Sequence, residues 1–250
     1  RAASPMKSGC GEWGFRELPL EQHFQIAKRF RFRTLEFGSG GGQIGRLSAE
    51  PSREEIVSFK ALSARYGIAT PGCCLENDFT LLDPVAHQAM LATTIRQFSA
   101  AAACGARQVR LFAGFTPADA MTPALWDQML SAFQIAQNRC AELGLSIAIE
   151  THGRITVQGG AAHHEHTVTT HPNALQRLLR ALPAQIGINW DPGNLKAVAP
   201  EDRLCALPVL DQRITYCHLK DWRRYEGGWI ACAIGDDDLD YEPLLRKTPY

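Results

Sequence analysis

Short apolar runs of strand length alternate along the chain with longer stretches in which apolar positions recur at helical spacing. Such alternation marks βα units in a parallel sheet with right-handed crossovers. A weak first strand is predicted over Met6–Phe15, broken by Gly9, Gly11 and Gly14, followed by an amphipathic helix over Leu20–Phe30. Arg33–Gly38 forms the second strand. Ser52–Tyr66 reads as a helix with Ser52 as N-cap, Glu55 completing a capping box and Gly67 as the stop. A third strand runs over Ile68–Leu75, and Asp83-Pro84 opens a long helix to Ala103. Gln108–Gly114 is the fourth strand, and Thr122-Pro123 opens a helix to Leu143.

The fifth strand follows, then an irregular loop over Gly153–Thr170, a helix over His171–Leu182, the sixth strand, a short helical piece around Glu201–Leu207 and the seventh strand. Trp222–Asp240 is expected to be loop with a hairpin at Gly227-Gly228, and Tyr241–Lys247 begins a further helix. Strand starts near 33, 68, 108, 145, 186 and 214 give a repeat of roughly 30 to 40 residues. The next would start near residue 250, where the chain ends. The expectation is therefore a TIM (β/α)8 barrel in one domain over 1–250, short of its eighth strand, with residues beyond 250 in the natural protein closing the sheet edge.

Three of these strands end in chemistry: Ser146–His152 carries Glu150, Ile186–Asn194 carries Asp191, and Ile214–Asp221 carries His218. Catalytic groups of such sheets gather at the strands' C-terminal ends. Two carboxylates and one imidazole suit a single divalent cation, Mn, Mg, Co or Zn, at about 2.0 to 2.2 Å. The competing uses are a strand-end salt bridge for Glu150, a cap before Pro192 for Asp191, since Asp-Pro-Gly-Asn is good turn chemistry, and a satisfied core group for His218.

Composition narrows the partners. The 250 residues are 45% hydrophobic and 21% charged, with 26 Lys plus Arg against 26 Asp plus Glu and no long run of one sign. That balance argues against nucleic acid or membrane and for a small-molecule substrate. The eight cysteines (10, 73, 74, 104, 140, 205, 217 and 232) form no C-x-x-C pair, which fits reduced thiols and a cytoplasmic location. No apolar run approaches the roughly 18 residues of a membrane span, and the N-terminus has no signal-type apolar region. Arg1–Pro5 carries no pattern and stays outside the fold argument. The glycine-rich Ser39–Gly42 matches neither a dinucleotide fingerprint nor a P-loop and reads as a flexible loop.

The chain resembles the xylose isomerase-like TIM-barrel superfamily of sugar isomerases and epimerases. The residues that carry the likeness are Leu35-Glu36, Asn77-Asp78-Phe79, Val109–Gly114, Ala148–Gly153, Trp190–Asn194, His218–Asp221 and Ile234-Gly235-Asp236. Their order and spacing, more than any one of them, make the likeness specific. It implies one divalent metal on Glu150, Asp191 and His218, with a fourth ligand, a strand-eight Glu, expected beyond residue 250. Where the family usually has Gly-Glu-Gly-Glu, this chain has Gly235-Asp236-Asp237-Asp238.

The implied chemistry is proton transfer beside a metal-polarised carbonyl, with Glu150 serving one face of the substrate. Lys220 and Arg224 are candidates to neutralise a substrate oxygen, and Lys220 is carried as catalytic with Glu150. His152 and Asn194 are candidate substrate contacts. Trp190 is a candidate stacking surface, with core packing the competing use for it as for Trp13, Phe112 and Trp222. Glu36, at the mouth of strand two, is a substrate-side candidate whose stronger expectation is a supporting or structural role. His163-His164-Glu165-His166 reads as a solvated loop with adventitious metal affinity.

The expected activity is that of a divalent-metal-dependent isomerase or epimerase of a small sugar or polyhydroxy carbonyl compound. A dehydratase of a polyol ketone or dehydroshikimate-like acid is the nearest alternative, and a non-catalytic binding protein a second. Apurinic endonucleases share the fold but need more histidines; strands three and four here offer Cys73, Cys74 and Phe112, without a phosphate-tracking charge. The sequence leaves a homo-oligomer open.

Overall fold

The computed structural model, which describes residues 7–202, 206–210 and 213–246, turns the second to seventh predicted strands into strands within one residue of the predicted starts. Of the first, expected over Met6–Phe15, only Cys10–Gly11 is a strand, and Trp13–Phe15 forms a 3-10 turn. In chain order the elements are β1 (Cys10–Gly11), α1 (Leu20–Arg29), β2 (Thr34–Ser39), α2 (Arg53–Tyr66), β3 (Ala69–Leu75), α3 (Pro84–Ala103), β4 (Gln108–Leu111), α4 (Pro123–Glu142) and β5 (Ser146–Glu150). They continue as β6 (Arg154–Gln158), β7 (Ala161–Glu165), α5 (Pro172–Ala181), β8 (Gly187–Trp190), α6 (Pro192–Val198), α7 (Leu207–Leu210), β9 (Ile214–Cys217), β10 (Asp221–Tyr225), β11 (Gly228–Cys232) and α8 (Tyr241–Arg246). The expectations that fall on Arg1–Met6, Cys205 and Lys247 lie outside the described residues.

Local chemistry sets the helix starts. Ser52 Oγ accepts the Glu55 N–H at 3.1 Å, and Glu55 accepts the Ser52 N–H at 2.9 Å, so two end donors are satisfied reciprocally. Asp83 accepts the N–H groups of Val85 and Ala86, with Pro84 as the first residue of α3.

The described residues pack as two compact units. The first comprises Lys7–Leu111 and Ala132–Ile147. In it β1, β2, β3 and β4 pair in that order, all parallel. Phe59 of α2 joins Phe24 of α1 (ring centroids 5.5 Å apart) to Phe37 of β2 (4.6 Å), sealing helices onto the sheet. Behind the strand ends, the fully buried Arg46 guanidinium faces the buried Glu12 carboxylate at 3.4 Å and Glu76 at 2.8 Å, and donates to the Cys74 carbonyl at 2.8 Å. Burial pushes the Glu12 carboxyl up, and Arg46 is the largest influence pulling it back.

The second unit is built on Phe112–Ser131 and the chain from Ala148 onward. Here β5, β8 and β9 pair in parallel, Glu150 lying opposite Asn189 and Trp190 opposite Cys217. Counted over both units, the described residues hold four parallel strands in the first and three in the second. All four residues of β8 are buried, as strands covered on both faces are. Leu175, Leu178 and Leu179 give α5 its buried stripe.

A second sheet of this unit is antiparallel, in the order β10-β11-β7-β6. It corrects the expectation of an irregular loop over 153–170. Gly159 and Gly160 both take positive φ, 58° and 83°, the conformation a two-residue hairpin turn requires, and so Arg154–Gln158 pairs back onto Ala161–Glu165. The expected later hairpin is present, turning at Glu226-Gly227, one residue earlier than predicted. The helix α6 was not expected; it begins directly after Asp191. Among the described residues no helix is long and apolar enough to cross a membrane.

Removing Arg46 would leave Glu12 buried without its counter-charge, a loss that typically costs about 3–5 kcal/mol. Arg46→Ala is therefore expected to lower the urea-unfolding free energy by that amount, and a change below about 1 kcal/mol would contradict this account of the first unit's polar core.

Candidate metal centre

The segment Asp191-Pro192-Gly193-Asn194 does four jobs in four residues. Asp191 Oδ1 caps α6 by accepting the Asn194 N–H at 2.8 Å, and Pro192 supplies the first helical φ. A Cβ at Gly193 would lie 2.4 Å from the Lys220 carbonyl oxygen, so only glycine lets this turn approach the chain after β9. Asn194 then donates its side-chain amide to Glu150 Oε1 and to the Thr151 carbonyl, each at 3.1 Å. The cap expected as the competing use of Asp191 is real, and it coexists with a place in the centre.

Parallel pairing of β5, β8 and β9 brings the three chemical strand ends together. Glu150, Asp191 and His218 each offer a ligand atom within 4.8 Å of the others. Glu150 and Asp191 are buried, while the His218 side chain keeps 20% exposure. His218 Nδ1 lies 3.5 Å from Glu150 Oε1, and the Lys220 ammonium lies 3.0 Å from Asp191 Oδ2 and 3.5 Å from Glu150 Oε1. Two donors on one ion at about 2.1 Å and a tetrahedral angle stand about 3.4 Å apart, which these separations approach.

Asp191 Oδ2 supplies the test of fit. It is buried and accepts no hydrogen bond; the nearby charge it meets is the Lys220 ammonium. An orphaned, buried carboxylate oxygen beside a second carboxylate and an imidazole is a donor set that fits a cation. Burial pushes the Asp191 carboxyl up to about 6, Lys220 pulls it down, Glu150 raises it, and His218 with the Asn194 N–H opposes.

Other residues position this group. Thr151 Oγ1 accepts the Asp191 N–H at 2.8 Å, and the Thr151 N–H donates to the Asn189 carbonyl. The Tyr241 hydroxyl donates to the Lys220 carbonyl. Lys196, buried in α6, is gripped by Asp221 at 3.3 Å, by Asp238 at 2.8 Å and by Asp237. Burial works against the Lys196 charge, yet the aspartate hydrogen bonds outweigh it and raise its pKa. Sequence reading missed Thr151, Lys196 and Tyr241; the acidic Asp236–Asp238 run was the available signal for Lys196.

The remaining candidates fall in different places. His152 is part-buried, with its Nδ1 bonded to the Gly153 carbonyl at 2.6 Å and its ring set edge-on to Phe112 and Phe115. Trp190 has no exposed surface, so its ring packs in the core and offers no face to a sugar. Arg224 lies exposed on β10 with its guanidinium 4.0 Å from the Trp229 ring centroid. Glu36 is buried in the first unit, where its charge acts on Glu12. His163 and His164 lie on β7, not in a solvated loop, and the His164 nitrogens are buried.

Comparison with known proteins gives a family model, Xylose isomerase-like TIM barrel, that matches residues 24–247. No curated protein sequence matches. Among solved structures, a 3-keto-D-glucoside 4-epimerase from E. coli is similar at 15% identity over 97% of this chain and 87% of that one, with a TM-score of 0.71. A probable 3-DHS dehydratase from Bacillus anthracis gives 14% identity over 97% and 88%, with a TM-score of 0.71. The IOLI protein, solved with a zinc atom, gives 13% identity over 97% and 84%, with a TM-score of 0.73. At these identities the likeness establishes the TIM-barrel fold.

Lys220 is a positive charge shared by two buried carboxylates, and since it pulls the raised Asp191 carboxyl down, its removal raises the folded-state pKa of Asp191 further. A carboxyl raised on folding costs nothing while protonated, and costs stability as pH climbs through its folded pKa. In chelator-treated protein, Lys220→Met is expected to lower Tm by roughly 3–6 °C at pH 8 and by little at pH 4.5. Equal losses at both pH values would contradict the shared-charge geometry.

Proposed function

The chain belongs to the xylose isomerase-like TIM barrel family, and from that premise we propose that it is a divalent-metal-dependent isomerase or epimerase of a small sugar or polyhydroxy carbonyl compound. The observation that carries the reading is the convergence of Glu150, Asp191 and His218 on one point beside the Lys220 ammonium. Glu150, Asp191 and His218 would hold the ion. When bound, a divalent cation polarises a substrate carbonyl and so acidifies the neighbouring C–H.

The chain's own groups supply the rest. Glu150 is the base: one oxygen is fixed by the Asn194 amide, which orients the carboxylate toward a proton on one face of the substrate. Lys220, with 27% of its side chain exposed, can turn from the carboxylates to the oxygen on which negative charge develops. Asp191 is held on both sides, through its N–H by Thr151 and through Oδ1 by Asn194, which keeps Oδ2 aimed inward. Complete burial of the two carboxylates keeps water away from the reacting carbon and strengthens each electrostatic contact.

Calorimetric titration with Mn2+ at pH 7.5 should find one site, weakened more than roughly 100-fold in Glu150→Gln and Asp191→Asn, since loss of a supporting group alone costs about 10- to 100-fold. The ion competes with the proton on Asp191, raised to about 6, so affinity should drop roughly tenfold per pH unit below that value. Incubating the loaded protein with ketoses in D2O should place deuterium on a carbon next to the carbonyl, and Glu150→Gln should abolish it. A conjugated enone appearing without exchange would favour the dehydratase; no metal uptake at all would overturn the reading.

A further inference from the structure

The antiparallel sheet of the second unit carries a polar pair that the chemistry above leaves unused. His164 on β7 lies opposite Ile155 of β6, and its ring meets that of Trp222 on β10 edge-on, with centroids 4.8 Å apart and planes at 77°. Both His164 nitrogens and the Trp222 indole nitrogen are buried, and none of the three has a hydrogen-bond partner. Buried polar atoms are nearly always satisfied, so three orphans on two touching rings are groups that call for a polar partner.

The pair lies within the electrostatic reach of Lys220 of the candidate centre. Burial, and then the charges of His152, Lys220 and His163, push the His164 imidazole down to about 3, while Lys220 itself contacts Glu150 and Asp191. The ring is thus neutral at physiological pH, with one nitrogen donating and the other accepting; the indole N–H only donates.

We infer that His164 and Trp222 form a subsite for a neutral hydroxyl-bearing end of the substrate, an inference that rests on the reaction proposed above. One hydroxyl can accept from the indole N–H and donate to the bare imidazole nitrogen while a second accepts from the imidazole N–H, so two hydroxyls satisfy all three orphans. A carboxylate or phosphate only accepts: it would leave the accepting nitrogen unpaired and find no positive charge on either ring. The subsite therefore selects a polyol chain end over an acid or a phosphate ester.

The test is calorimetric binding of xylitol, ribitol and D-sorbitol to Mn2+-saturated protein at pH 7.5, with xylonate as the acid of the same carbon skeleton. Wild type is expected to bind at least one polyol more tightly than xylonate. His164→Leu and Trp222→Phe should each weaken that polyol roughly tenfold, as loss of one hydrogen bond near 1.4 kcal/mol does, and leave Mn2+ affinity within about twofold. His164→Gln, which keeps a donor and an acceptor, should retain most of the binding, and unchanged Mn2+ affinity certifies that each variant is folded. Polyol affinity unaffected in both variants, or xylonate preferred over every polyol, overturns the subsite. Failure of wild type to take up Mn2+ would instead count against the metal centre, and the same polyol series without metal would still decide the subsite.

Discussion

Two carboxylates buried side by side govern the second unit. Glu150 and Asp191 stand at the ends of adjacent parallel strands, out of reach of the water that would normally disperse their charge. With a carboxyl lifted from 3.8 to about 6, holding Asp191 ionised at pH 7 costs on the order of 3 kcal/mol. That cost stands even with the pull of an internal cation, Lys220, on a flexible stem that keeps partial access to solvent. Such a counter-charge can yield its place to a divalent ion and turn toward substrate, which a rigid guanidinium would not do as readily.

Much of the surrounding structure fixes the backbone of Lys220, whose ammonium reaches both carboxylates. Gly193 admits close approach of α6 to the Lys220 carbonyl, and Tyr241 bonds that same carbonyl. Next along the chain, Asp221 is locked to Lys196, and its carboxylate also accepts the Trp222 and Gly235 N–H groups. Order in the Lys220 backbone is thus built by neighbouring residues.

The parallel strands were legible in the sequence because a strand covered on both faces must be apolar throughout, as β8 is. Helix starts were legible because Ser52 and Asp83 announce themselves as caps. The β6–β7 hairpin was not, since Arg154–Gln158 is too short for a clear alternation and buries none of its residues, its Val157 being exposed, and only the Gly159-Gly160 pair betrays the turn. The helix α6 was hidden because seven residues are too few for a periodic signal, and its opening Asp-Pro-Gly-Asn reads equally well as a turn. The convergence of Glu150, Asp191 and His218 was legible from their strand-end positions. The fates of Trp190, which packs in the core, and of Arg224, which a hairpin carries onto Trp229, depend on tertiary placement that no local pattern encodes.

X-ray absorption spectroscopy of the protein loaded with one equivalent of Zn2+ tests the central claim most directly, because it reads the donor atoms themselves. The account predicts a shell of oxygen and nitrogen at about 2.0–2.2 Å with the multiple scattering of a single imidazole, that of His218. A sulfur scatterer near roughly 2.3 Å, or the signature of two or more imidazoles, would contradict it.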